Sequence, residues 1–228
     1  MMQASWRDSV VAYIRAEARP ADKFGHQPRL YALATKIGQG MDYDDDVLFA
    51  AAWMHDLGVF LGHRPRDPAE LAAWDHVPYT IEKSRELLKR WGFPEGKLDR
   101  VAEAIQYHRA KDDPKTLEGV LLRDADILEQ LGAVGAMRMI VKVGRDTRYP
   151  TFSSILPVLS DAADHLPGEM RLTSAISMSV PRVEVLRSWL RYVKRRATDS
   201  ARVISLFPGA EPVGCRASVC RICKYLPS

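Results

Sequence analysis

The sequence holds only three cysteines in 228 residues, Cys215, Cys220 and Cys223. So small and odd a number excludes a disulfide framework. Long apolar runs are missing as well: the most hydrophobic stretch, Val47 to Leu61, is interrupted by His55 and Asp56, whereas a bilayer-spanning helix needs about 20 apolar residues. A membrane span is therefore excluded. Strand-like alternation, internal repeats and low-complexity tracts are absent, and no charged and apolar leader opens the chain, so a cytoplasmic protein is expected.

What is present is an ordinary globular composition, 46% hydrophobic and 27% charged, in a chain long enough to bury about 70% of its surface without staples. The net charge of +4 is unevenly placed. From Arg182 onward ten Lys and Arg stand against three Asp and Glu, leaving the first 181 residues net −3. The C-terminal cations Arg187, Arg191, Lys194, Arg195, Arg196 and Arg202 alternate with apolar residues at helical spacing, with no aromatic platform beyond Trp189 and Tyr192. That pattern describes a solvated helix face rather than a nucleic-acid surface.

Helical periodicity dominates the chain and predicts an all-α domain over residues 1–199, followed by a basic, cysteine-containing tail over 200–228. Val10, Tyr13 and Ile14 mark a first helix, and Leu30, Leu33, Ala34 and Ile37 a second that ends before Gly38. Val47 to Leu57 is apolar all round, as a central helix should be, and Gly58 stops it. Further helices are expected over Thr80–Trp91, Glu95–His108, Thr116–Leu131, Ala133–Val143 and Thr173–Ala197, the last kinked or divided at Pro181. The proline-rich stretch Gly62–Pro78 and the segment Asp146–Pro167 are expected to be irregular.

Function is legible where polar groups occupy positions that periodicity assigns to the core. Leu117, Leu121, Asp124, Leu128 and Leu131 form one stripe, so Asp124 is buried. A lone buried carboxylate costs several kcal/mol, which requires a cation, a cluster of donors or a cleft beside it. His108 shares a face with Leu98, Val101 and Ile105, and His55-Asp56 breaks the most apolar helix. One buried polar centre accounts for all of them, with His26 upstream as its fourth contributor.

Taken together, His26, His55-Asp56 and Asp124 within Arg-Asp-Ala-Asp-Ile-Leu-Glu-Gln-Leu-Gly resemble the H…HD…D signature of the HD-domain metal-dependent phosphohydrolase superfamily. The resemblance runs from about Val10 to Gly144 and includes His26-Gln-Pro-Arg, Trp-Met-His55-Asp56-Leu-Gly and Ile-Gln-Tyr-His108. The Asp-Ala-Asp block is similar to that of small stand-alone bacterial HD proteins, some of which hydrolyse nucleoside triphosphates. The resemblance implies that His26, His55, Asp56 and Asp124 coordinate a metal, with Asp56, His76 and His108 catalytic. His76 and His108 hold a second metal or contact substrate phosphates, and His63 is an alternative to His76. Two imidazoles and two carboxylates suit Mn, Fe, Co, Ni or Zn, as one or two ions, better than an all-oxygen Mg or Ca cage.

Such a metal polarises a phosphoryl oxygen and lowers the pKa of a bound water, so hydrolysis of a small phosphorylated metabolite, with a nucleotide first among them, is the expected activity. Arg29, one helical turn after His26, and Lys142, Arg145 and Arg148 are candidate phosphate contacts. Asp126 and Glu129, off the buried stripe, are expected at the surface or outside the ligand set, and His165 has no expected role. Two alternatives stand: a di-iron oxygenase using His26, His55, Asp56, His76, His108 and Asp124, and a nucleotide-binding domain without turnover. The spacing Cys215-x4-Cys220-x2-Cys223 lacks a fourth ligand nearby, which argues against an autonomous metal site and leaves homodimerisation through the tail open.

Overall fold

The computed structural model describes residues 5–20, 23–145 and 148–205, and among them every regular element is helical. The chain divides into two compact units, 1–187 and 188–228. Cys215, Cys220 and Cys223 lie outside the described residues. No described helix is long and apolar enough to cross a membrane.

Helix α1, Trp6–Glu17, starts at a capping box in which Ser5 and Asp8 satisfy each other's backbone N–H groups, and it buries Val10 and Ile14. Helix α2, His26–Ile37, turns Leu30, Leu33, Ala34 and Ile37 inward. Helix α3, Asp45–Met54, is the centre of the bundle. Asp44 caps it by accepting from Asp46 and Val47 N–H, two more aspartates favour its positive end, and every residue from Val47 to Met54 is buried. Burial of a Val, Leu, Phe or Met side chain contributes about 1.5–3 kcal/mol, so this helix anchors its neighbours α2, α1 and α6 (Leu98–Gln106).

The expected helix over Val47–Leu57 ends three residues early. His55 caps α3, Asp56 leaves helical geometry, and a single 3-10 turn, Leu57–Val59, follows. The proline-rich stretch contains a short helix, α4, Pro68–Ala72. Helix α5 spans His76–Arg90, four residues earlier than periodicity suggests, because Asp75 caps it. Helix α7, Leu117–Glu129, packs on α2, α3 and α6 and is buried on almost every side. Helix α8 spans Gly132–Ile140.

The segment expected to be irregular instead carries helix α9, Phe152–Glu169. A capping box between Thr151 and Ser154 starts it, and Ile155, Leu159 and Ala163 fall on one buried face. Pro167 cannot donate to the Ala163 carbonyl four residues back. Arg187 Nη2 donates to that oxygen instead, at 3.3 Å. Helix α10, Thr173–Ser205, runs through both Pro181 and Asp199 without a break.

Candidate metal centre

Four histidines converge from the ends of four helices. His26 is the first residue of α2, His55 caps α3, His76 is the first residue of α5, and His108 follows the end of α6. Ring centroids lie 5.2 Å apart for His26 and His55, 5.1 Å for His55 and His108, and 5.6 Å for His76 and His108. Asp56 stands among them: its Oδ2 is 3.6 Å from His55 Nε2 and 4.0 Å from His26 Nε2, while its Oδ1 is 3.5 Å from His76 Nε2. Two triads result, His26-His55-Asp56 and Asp56-His76-His108, each with one ligand atom per residue and all three atoms within 4.8 Å of one another. Asp56 belongs to both.

Tautomers follow from the partners. His55 Nδ1 lies 3.1 Å from the Ala52 carbonyl and His108 Nδ1 2.7 Å from the Ile105 carbonyl. Carbonyls only accept, so both Nδ1 atoms carry a proton, and in the neutral imidazole Nε2 is then the nitrogen with the lone pair. His26 Nδ1 lies 3.4 Å from Glu129 Oε2. Burial alone raises the Glu129 carboxyl, but the bonds from His26 and Arg29 hold it below its ordinary range. It is therefore an acceptor for the His26 Nδ1 proton, which turns His26 Nε2 toward the other histidines. The Nε2 atoms of His26 and His55 face each other at 3.3 Å. Burial pushes His55 down to about 4, so it is neutral at pH 7.

Converging imidazole lone pairs beside carboxylates are a donor set that a cation satisfies and water alone does not. Two further observations fit a metal. His76 Nε2 is buried without a hydrogen-bond partner. Desolvation raises the Asp56 carboxyl, yet His55, His76, His26 and His108 hold it well below the usual carboxylate range, so it is ionised.

Asp124 requires a correction. It is buried, as expected, but it does not face the histidines. Its Oδ2 accepts from Leu172 N–H at 2.8 Å and Arg171 N–H at 3.0 Å, and its Oδ1 lies 3.3 Å from Arg123 Nη1. Burial raises its pKa against those hydrogen bonds. The carboxylate brought to the cluster is Asp126, whose Oδ1 is 3.4 Å from His26 Nε2. Two residues advance a helix by about 200°, so one helix cannot turn both aspartates to one side.

Glu129, expected outside the core, is buried and also accepts from Arg29 Nη2 at 3.2 Å and Arg138 Nη1 at 3.4 Å. Arg29 is thus beside the cluster, as its spacing from His26 suggested. Arg145 reaches the Val141 carbonyl at 3.4 Å, and Arg148 lies over the Tyr149 ring at 5.3 Å. His63 is engaged elsewhere, with Tyr79 Oη at 2.7 Å and Glu17 Oε2 at 3.3 Å, which leaves His76 as the histidine at the site. His165 is exposed on α9 beside Asp161.

Fold and site thus define an all-helical protein built around a buried histidine-carboxylate centre. Residues 24–131 match the HD domain family, so this segment of the chain is an HD domain. It is similar in fold to Bacillus subtilis YpgQ, solved in complex with ADP (21% identity, TM-score 0.62, covering 83% of this chain and 97% of that one). It is also similar to a predicted HD superfamily hydrolase from an uncultured Thermotogales bacterium (22%, TM-score 0.55, 83% and 90%). An HD-superfamily hydrolase from Bacillus thuringiensis aligns as well (17%, TM-score 0.60, 85% and 96%). Among curated protein sequences there was no match.

Proposed function

We propose that the protein is a metal-dependent phosphohydrolase that cleaves a phosphoester or phosphoanhydride of a small metabolite, with a nucleotide as the substrate class. The observation that carries this reading is that Asp56 is shared by two triads, each completed by two imidazoles. His26, His55, Asp56 and Asp126 would hold the first cation. His76 and His108, with Asp56 shared, would hold a second or donate to a phosphoryl oxygen. A bound Mn, Fe, Co, Ni or Zn ion supplies Lewis acidity and lowers the pKa of a water.

The chain's own residues do the rest. Glu129, Ala52 and Ile105 fix His26, His55 and His108 by their Nδ1 protons, so the Nε2 atoms need no rotation at the moment of reaction. Asp56, ionised, accepts from the water that attacks phosphorus. As the new P–O bond forms, the bond to the leaving oxygen breaks and the water's proton ends on that oxygen or in solvent. Arg29, held on Glu129 beside the centre, offers positive charge to the substrate's phosphate chain. The bound ADP of the Bacillus subtilis protein supports a nucleotide as the first compound to test.

The experiment is elemental mass spectrometry on protein purified without chelator, joined to a phosphate-release assay over a nucleotide panel with added Mn. Metal with turnover bears the reading out. A second reading, a di-iron oxygenase, is favoured by the same sharing of Asp56, with Asp126 replacing Asp124 in its six-residue set. Two tightly held irons and no phosphate release would establish it instead.

A further inference from the structure

Glu129 is only 6% exposed by its side chain, yet two guanidiniums meet on its Oε2, Arg29 at 3.2 Å and Arg138 at 3.4 Å, and they are 45% and 28% exposed. The same oxygen accepts from His26 Nδ1. One carboxylate thus neutralises one guanidinium and leaves a net positive charge, and that charge sits on the exposed partners.

Each arginine has donors to spare. A guanidinium carries five N–H groups. Arg29 commits Nε and Nη2 to Glu129, and its Nη1 passes so close to Gly25 that a Cβ there would lie 2.9 Å from it. Arg138 commits only Nη1, and its Nε and Nη2 have no hydrogen-bond partner among the described residues. Simple neutralisation of Glu129 needs one arginine. The second, supplied by α8 across from α2, suggests a site for an anion.

We propose that Arg138, with Arg29, binds a phosphoryl group of the substrate other than the one that reacts, which selects compounds with two or more linked phosphoryl groups over monoesters. This rests on the phosphohydrolase reading above. Two forks held by a shared carboxylate offer fixed, charge-assisted donors to a phosphate, whereas flexible surface lysines would lose more freedom on binding. The reacting group meets the imidazole-carboxylate centre on the Nε2 side of His26, and the next group in the chain meets the arginines that surround its Nδ1 partner.

The test compares full-length wild type with Arg138→Gln, both checked by circular dichroism and by metal content, using calorimetric titration of inorganic pyrophosphate and of inorganic phosphate. Loss of one charge-assisted contact is expected to weaken pyrophosphate about tenfold or more, with phosphate affinity and metal content unchanged. Arg138→Lys, which keeps the charge without the fork, is expected to recover only part of that loss. Unchanged pyrophosphate affinity in Arg138→Gln would overturn the proposal. So would an equal fall for both anions accompanied by metal loss, which marks a purely positioning role through Glu129. If pyrophosphate discriminates as expected but no phosphorylated compound is hydrolysed, the anion site stands and the hydrolase reading falls.

Discussion

Asp124 and Asp126 lie two residues apart on one helix and point to opposite sides of it. Asp124 Oδ2 holds the Leu172 N–H at 2.8 Å, while Asp126 Oδ1 lies 3.4 Å from His26 Nε2. One aspartate ties the link between α9 and α10 to α7, and the other faces the histidines. Their substitutions should separate cleanly. Asp126→Ala is expected to lose bound metal and, compared with chelated wild type, to keep a nearly unchanged unfolding midpoint. Asp124→Ala strands the backbone N–H groups of Arg171 and Leu172, at about 1–3 kcal/mol per stranded group, while Arg123 keeps its bonds to the Ala110 and Glu169 carbonyls, so its Tm should fall by roughly 5–15 °C while metal is retained. Elemental analysis and thermal unfolding of the two variants decide it, and the reverse pattern would sink the assignment.

Because Asp56 is common to both triads, its removal should cost more metal than removal of any histidine. Asp56→Ala is expected to bind no ion and release no phosphate, with its helical circular dichroism intact. His76→Ala should keep the first ion and lose any second. A His76→Ala protein with wild-type metal content would leave that residue to substrate contact alone.

The turn that carries Asp56 is latched to α5. Gly58 N–H donates to the buried Thr80 Oγ1 at 3.0 Å, and a Cβ at Gly58 would sit 2.9 Å from His76 Cβ and from the His76 carbonyl. Thr80→Val removes the acceptor at nearly constant volume, and about 1–3 kcal/mol of stability should go with it. Thr80→Ser should restore most of it. Gly58→Ala is expected to be worse than Thr80→Val for metal stoichiometry, since it drives His76 and Asp56 apart. Equal metal content in both variants would count against the latch.

His55 gives the metal-free protein a defined pH response. Its imidazole is held down to about 4 from the ordinary 6.5 by burial. Between those values the unfolded chain binds the extra proton, so stability rises with pH there. The contribution is fully present above pH 6.5 and is lost as pH falls toward 4, amounting to about 3 kcal/mol. Urea unfolding of chelated wild type and His55→Asn at pH 7, 5.5 and 4.5 measures it. The wild type should lose stability more steeply than the variant, and parallel curves would refute the prediction.

Much of the bundle was legible in the sequence because apolar spacing and caps agree locally, as in α2 and α3. Helix α9 was not, since Pro157 and Pro167 mask it and the group that answers for the missing N–H of Pro167, Arg187, lies 20 residues away. The histidines were legible because an imidazole inside an apolar run has few explanations. The choice between Asp124 and Asp126 was not. A single-stripe reading of α7 finds the buried carboxylate correctly, but this helix is enclosed on nearly every side. Burial therefore could not tell a carboxylate facing cations from one facing backbone donors at Arg171 and Leu172, and it passed over Glu129, whose partners come from α2 and α8.

Every imidazole of the centre sits at a helix end, so no single helix carries a pair of them in ligating positions. The centre exists only once α2, α3, α5, α6 and α7 have docked together. Helices formed in a loosened, partly assembled chain would show full helical content and yet retain no ion. Bound metal is accordingly a head count of finished molecules, and the fraction of a preparation that keeps its ion through dialysis reports how much of it has completed its tertiary structure.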